Sequence, residues 1–168
     1  MKKKNPLTHV DAQGRARMVD VSAKAVTQRF AVAEATLHMR PETLALIVNR
    51  SAPKGDVLGV ARIAGIQAAK RTHELIPLCH QLPLSSVSID FEFKKGGRLR
   101  IQSCAQCEAR TGVEMEALIA ANVAGLTVYD MLKAADRKME MSGVRLLEKA
   151  GGRSGHWLRK KKGKTKRK

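Results

Sequence analysis

TGVEMEALIAANVAGLTVYDMLKAADRK, residues 111–138, is the stretch that decides how the rest of this chain folds. Two carboxylates, Glu114 and Glu116, open it, Asp130 and Lys133 close it, and nearly everything between is apolar. Ala117, Leu118, Ile119, Ala120, Val123, Leu126, Val128 and Leu132 leave no broad polar face, the pattern of a helix covered on most sides in a core. No run of about eighteen residues is free of charged and polar groups, which argues against a membrane span. Asp130 and Lys133 are i,i+3 neighbours and share a face. Glu116 and Asp130 point within about 40° of each other around the axis, yet the helical rise separates them by about 21 Å. One copy of the helix therefore cannot bring both into one small site. Either they serve separate purposes or a second chain supplies the other half.

The segments on either side of this helix read as strands. In residues 86–93, Val87, Ile89, Phe91 and Phe93 alternate with Ser88, Asp90 and Glu92; Lys94-Lys95-Gly96-Gly97 turns the chain, and residues 98–109 return with Leu99, Ile101, Ser103 and Ala105 on one parity. This is a β-hairpin. Cys104 and Cys107 in its second arm are an odd number of residues apart, on opposite faces of a regular strand, which disfavours a zinc site. After the long helix comes a strand over residues 144–147 and then a glycine-rich segment, 148–155, that reads as a mobile flap carrying Lys149 and Arg153.

Upstream, residues 27–39 (TQRFAVAEATLHM) are alanine-rich and helical by propensity, but Ala31, Ala33, Ala35, Leu37 and Met39 fit period two, and we read a strand. A short strand or extended entry precedes it at residues 17–22. Pro41 suits the first turn of a helix reaching Val48. Asp56 is a candidate N-cap for a second helix, residues 57–75, with Lys70 near its C-terminal end. Lys54-Gly55 before it is either an anion-binding turn or a capped surface turn. In Ile76-Pro77-Leu78-Cys79-His80-Gln81-Leu82-Pro83 two prolines stiffen a loop around Cys79 and His80. Those side chains are either site residues or a buried thiol beside a hydrogen-bonded imidazole. The order strand, helix, helix, hairpin, long helix, strand gives an α+β fold with helices packed on one face of an antiparallel sheet.

The chain has 168 residues, one ordinary domain, and a net charge of +17. Residues 2–4 hold 3 of these charges and residues 159–168 hold 8, leaving a body of +6. We read residues 1–14 as a flexible N-terminus, 15–158 as a single catalytic domain and 159–168 as a disordered basic tail. No apolar signal-peptide core opens the chain, and 3 cysteines suit reduced thiols, so a cytoplasmic protein is expected. Dinucleotide, Walker, HExxH and GxSxG signatures are absent from the sequence. What remains is a basic body with lysines and carboxylates on loops and helix ends, a set that suits acid–base chemistry on a phosphorylated small molecule.

Several motifs carry a family resemblance: MVDVSAK at 18–24, KGDV at 54–57, ARIAGIQAAKRT at 61–72, LIPLCH at 75–80, TGVEMEAL at 111–118, YDM.K at 129–133 and VRLLEK.GG.SG at 144–155. Together they resemble the cyclic pyranopterin monophosphate synthase family, molybdenum cofactor biosynthesis protein C. The resemblance implies a ferredoxin-like subunit in a homohexamer, a trimer of dimers with active sites between subunits. It implies a lyase that converts 3′,8-cyclo-7,8-dihydro-GTP to cyclic pyranopterin monophosphate with release of diphosphate. Matched position by position, it implies catalytic roles for Asp130, Lys133, Lys54 and Lys149. It implies substrate binding by Leu78, Cys79, His80, Glu114, Met115, Glu116, Lys70 and Arg29. No metal ligand is implied and no cofactor is required, with Mg2+ admitted alongside the triphosphate.

The basic tail lies outside the matched core. It reads as solvated and disordered, or as a source of weak nonspecific nucleic-acid contact. A nucleic-acid-binding module is the competing function, but 3 Phe, 1 Tyr and 1 Trp provide no aromatic platform interleaved with basic residues.

Overall fold

The computed structural model describes residues 10, 11 and 13–160; the expectations for the outermost N-terminal residues and for residues 161–168 lie outside the described residues. Strand β1 is Thr27–His38, so period two prevails over alanine's helical propensity. Ala31, Ala33 and Ala35 are fully buried and Leu37 is nearly so. Their facing helix, α4 (Glu114–Leu132), presents Ala117, Ala120, Ala121, Ala124 and Gly125 as buried residues. Small residues on both sides let sheet and helix approach closely, and burial of that shared surface outweighs local propensity.

The remaining elements are helices α1 (Pro41–Val48), α2 (Val57–Lys70) and α3 (Thr72–Leu75), and strands β2 (Leu84–Lys94), β3 (Arg98–Ala109), β4 (Glu140–Ala150) and β5 (Trp157–Leu158). Pro41 occupies the start of α1, and the Asp56 carboxylate caps α2 by accepting from the Gly59 amide at 2.9 Å. The sheet order is β2-β3-β1-β4-β5 with antiparallel neighbours. Its first four strands, with α2 and α4 on one face, make the ferredoxin-like arrangement in which β3 separates β1 from β2. α2 crosses α4 at Gly65, where a Cβ would stand 2.7 Å from the Ala120 carbonyl oxygen and collide with Ile89.

Four local expectations change. The helix expected over 57–75 breaks at Arg71 into α2 and α3, and the Thr72 hydroxyl donates to the Ala69 carbonyl at 3.0 Å across the break. Residues 17–21 form no strand ladder: the neighbouring bridge is Val10↔Ala16, and the Val19 carbonyl accepts from a side chain, His80 Nε2, in place of a strand partner. Strand β4 begins at Glu140, four residues before the expected start, and ends at Ala150; register shifts opposite Val32/Ala33 and Glu34/Thr36 spoil the alternation that would have marked it. Lys149 therefore belongs to β4, paired with Ala31, and not to a flap. Finally, α4 is covered on the flanks that meet the sheet and α2 but not on its third flank: Met115, Ile119, Asn122 and Val123 are half-buried and Leu126 is 56% exposed. Val60 and Ile63 of α2 are exposed beside it.

Candidate active site

The side chains singled out from the sequence gather at the two ends of α4. At its N-terminal end a cavity of about 480 Å³ is lined by Leu78, Cys79, His80, Glu114, Met115 and Glu116, joined by Val19, Val21, Lys24, Ile76, Leu82, Thr111 and Gly112. The loop between Pro77 and Pro83 delivers Cys79 and His80 to this cavity, as a stiff loop should. His80 Nε2 lies 2.9 Å from the Val19 carbonyl oxygen; a carbonyl only accepts, so Nε2 carries the proton and Nδ1 is left to face another partner. Burial pushes the Cys79 thiol pKa up, with the neighbouring Glu116 adding to the shift, so this sulfur is a poor thiolate.

Glu116 is the most perturbed group in the cavity. It is 4% exposed, and burial raises its pKa to about 7; a bond from its own backbone amide opposes the rise and Glu114 reinforces it. Its neighbour Glu114 is ionically satisfied, with Oε1 2.6 Å from Lys149 Nζ. Two carboxylates two residues apart thus differ in environment: one is clamped to a lysine and the other is poised to exchange a proton near neutrality.

A second, smaller cleft of about 70 Å³ shares Gly112 and Glu114 with the first and adds Arg29, Lys149, Gly151 and Ser154. Arg29 Nε donates to the Ala109 carbonyl at 3.3 Å, and its guanidinium lies against Gly152, whose φ of 67° and lack of Cβ both suit that contact. Arg29 and Lys149 make this region the cationic side of the cavity. Lys70 closes α2, which runs antiparallel to α4, so it sits toward the same end while lining neither cleft.

At the C-terminal end of α4 the Asp130 carboxylate bridges two ammonium groups. Lys54 Nζ lies 2.9 Å from Oδ2 and also donates to the Asp130 carbonyl at 3.0 Å; Lys133 Nζ lies 2.7 Å from Oδ1. All three side chains are about half exposed, between 48% and 55%. The hydrogen bonds from Lys133 and then Lys54 hold the Asp130 pKa down at about 2, and Asp130 in return raises that of Lys133. A carboxylate held this low stays ionised near neutrality and ties the two ammonium groups together.

The structure therefore unites Leu78, Cys79, His80, Arg29, Glu114, Met115, Glu116 and Lys149 in one region and Lys54, Asp130 and Lys133 in another, a helix length away. Sequence reasoning overlooked Lys24, Thr111 and Gly112 as lining residues. Lys24 lies in the MVDVSAK stretch, but its arrival at the cavity depends on contacts made only after folding, such as Arg110 Nε donating to the Lys24 carbonyl at 2.9 Å. Among the described residues no three His, Cys, Asp or Glu side chains converge as a metal site, and Cys79, Cys104 and Cys107 are free thiols.

Residues 18–152 match the model of the MoaC family. The chain is 58% identical over 156 residues to the cyclic pyranopterin monophosphate synthase of Chloroflexus aurantiacus, covering 92% of this chain and 96% of the relative. It is also 58% identical over 154 residues to the cyclic pyranopterin monophosphate synthase of Chloroflexus aggregans, covering 91% of this chain and 93% of the relative.

Proposed function

This chain belongs to the MoaC family, and on that premise we propose how its two half-sites perform the family's reaction. The chain is a cyclic pyranopterin monophosphate synthase, an enzyme of molybdenum cofactor biosynthesis that converts 3′,8-cyclo-7,8-dihydro-GTP to cyclic pyranopterin monophosphate and diphosphate. The observation that carries this is 58% identity over 156 residues, 92% of the chain.

Forming a cyclic monophosphate and free diphosphate from a triphosphate requires an internal oxygen to displace diphosphate at the α-phosphorus. One P–O bond forms, one breaks, and negative charge builds on the leaving group. Ammonium and guanidinium groups aimed at that charge stabilise it in the transition state. Lys54 and Lys133, fixed by Asp130, and Arg29 and Lys149 at the other end supply them. Glu116, near neutrality in its own titration, exchanges protons with the rearranging ring, and His80 Nδ1 stands ready as an acceptor. Mg2+, where present, enters as the counter-ion of the triphosphate.

The active centre forms between two copies of the chain. Supporting this is the open flank of α4: Met115, Ile119, Asn122, Val123, Leu126 and Asp130 recur at helical spacing, and their spacing, though not their residue types, is the same read from either end, with its midpoint between Asn122 and Val123. An antiparallel partner helix on a two-fold axis there seals the exposed Leu126 and sets the partner's Asp130 opposite Met115 and Glu116. Assembly of such dimers into a hexamer rests on the family resemblance. Cytoplasmic location is supported by the three free thiols.

Supplying the cyclised dihydro-GTP and assaying diphosphate together with a pterin tests the activity. A folded protein that releases neither overturns this reading.

A further inference from the structure

Asp136 is a buried acid that the reaction leaves unused. It is 4% exposed and lies in the turn after α4, shortly past Lys133, with its carboxylate fully engaged. Oδ2 accepts from the Arg40 amide at 2.9 Å and from the Thr43 hydroxyl at 3.2 Å, with Arg40 Nε at 3.6 Å. Oδ1 accepts from the Lys138 amide at 3.0 Å. Arg40 holds the N-cap position of α1, and its own side chain makes no capping bond there. Asp136 supplies that cap from 96 residues along the chain. The Arg40 amide above all holds its carboxyl below the usual carboxylate range, so it is ionised near neutrality.

This clamp is one end of a closed ring of contacts whose other end is the Asp130 cluster. From Arg40 the chain runs through α1 to Lys54, and from Asp130 it runs through Lys133 to Asp136. Asp136 joins the two segments at the buried end, and the Lys54–Asp130 pair joins them at the exposed end. Each segment is stiffened by its own backbone bonds. The Asn49, Arg50 and Ser51 amides donate to the Ala45, Ile47 and Leu46 carbonyls, and that of Gly55 to Ala52. Opposite them, the Leu132 carbonyl accepts from the Ala135 and Asp136 amides at 2.9 and 3.1 Å, which fixes the backbone around Lys133. The Arg40 guanidinium donates to the Ala135 carbonyl, a second link between the segments. The two ends of the ring are unequal. Ion pairs between half-exposed side chains are screened by water and hold geometry poorly, whereas charge-assisted bonds to a buried carboxylate are strong. The buried end therefore sets where the exposed end closes.

We propose that Asp136 is a positioning residue for the synthase reaction: by clamping the turn after α4 to the start of α1, it sets the separation of Lys54 and Lys133 across Asp130. The proposal rests on the synthase reading of the Asp130 cluster. Buried as it is, Asp136 acts through the two lysines and not on substrate. Misplacement of a reacting group by about 1 Å can cost about 100-fold in rate, so a loosened clamp is felt at the chemistry without any contact being lost there.

Asp136→Asn keeps the size of the side chain but removes its charge and one of its two acceptor atoms. In the full-length protein, assayed well below the variant's own unfolding midpoint, kcat should fall by at least about tenfold while KM moves less than about threefold. In an Asp130→Asn background the same change should cost less than about twofold more, because the cluster it positions is already released. Titration of Lys133 gives a readout independent of turnover, followed by NMR on lysine labelled at Cε and identified by the signal lost in Lys133→Arg. Asp130 and, to a lesser degree, Tyr129 raise the Lys133 pKa. Asp136→Asn should lower it, and should leave it unmoved where Asp130→Asn is already present. Thr43→Val deletes one donor to Asp136 at constant shape; it should show the same changes in smaller degree, and it carries the test if Asp136→Asn does not fold. A wild type without turnover would overturn the enzymatic reading, while the Lys133 titration still decides the clamp. The proposal is overturned if Lys133 titrates identically in wild type and variant, if the loss falls on KM and not kcat, or if the Asp130→Asn and Asp136→Asn losses multiply in the double variant.

Discussion

Lys54 Nζ lies 2.9 Å from Asp130 Oδ2 although 76 residues separate them in the chain. The contact joins the loop before α2 to the last turn of α4, and with Lys133 on the other oxygen it makes Asp130 the hinge of a three-residue cluster. Asp130→Asn should release both lysines. Because these side chains are half exposed and solvent screens their pairing, unfolding stability should barely change. Turnover should fall by about 10²- to 10⁴-fold, the range of a lost acid–base contribution, and the Lys133 pKa should drop with the carboxylate gone. Normal turnover in this variant would leave Asp130 without a role.

Site sharing has a numerical signature. Asp130→Asn and Glu116→Gln subunits, each inactive alone, should recover activity when unfolded together and reassembled. A mixed dimer has one intact and one doubly altered site, and random pairing makes half the dimers mixed, so roughly a quarter of wild-type turnover should return. No recovery, with mixed assembly verified by mass, would show that each site is built from one chain.

The raised pKa of Glu116 gives stability a direction in pH. A carboxylic acid whose folded pKa is about 7, against an ordinary 4.5, holds its proton more tightly when folded. Its folded-state advantage is fully present below about pH 4.5 and is lost as pH rises through about 7, a swing on the order of 3 kcal/mol. Denaturant unfolding of the wild type and Glu116→Gln at pH 5 and pH 8 should therefore show the variant relatively more stable at the higher pH. Parallel pH profiles for the two proteins would mean that Glu116 is not perturbed.

Gly65→Ala tests the close approach of the helices. Its new Cβ meets the Ala120 carbonyl at 2.7 Å and the Ile89 side chain, so the core must shift. Overpacking of this kind costs about 1–3 kcal/mol despite alanine's better helix propensity, a loss visible as a lower denaturant midpoint at unchanged slope. A stabilised variant would mean that α2 and α4 are free to separate.

Much of the fold was legible because the pattern is local. Alternation marked β1 and the hairpin, Pro41 and Asp56 marked helix starts, and α4 declared itself by length and apolarity. The two-residue strand β5 and the early start of β4 were not legible, since neither alternates: β5 exists because Arg159 finds carbonyls on β4, and β4 is interrupted where its register with β1 shifts. The site followed the same division. Cys79, His80, Glu114, Glu116, Asp130 and the lysines could be singled out from motif matches, whereas the arrival of Lys24 at the cavity could not, because its contact with Arg110 spans 86 residues of chain.

The sequence alone determined the element types, the apolar length of α4 and hence the separation of its charged ends, since helical rise per residue is a constant of the backbone. Only the tertiary structure decided which charges are paired. Glu114 is neutralised by Lys149 while Glu116 is buried beside it, and Asp130 is held ionised between Lys54 and Lys133. Protonation depends on desolvation and on the distance to the nearest opposite charge, and both exist only once distant segments have been folded into contact.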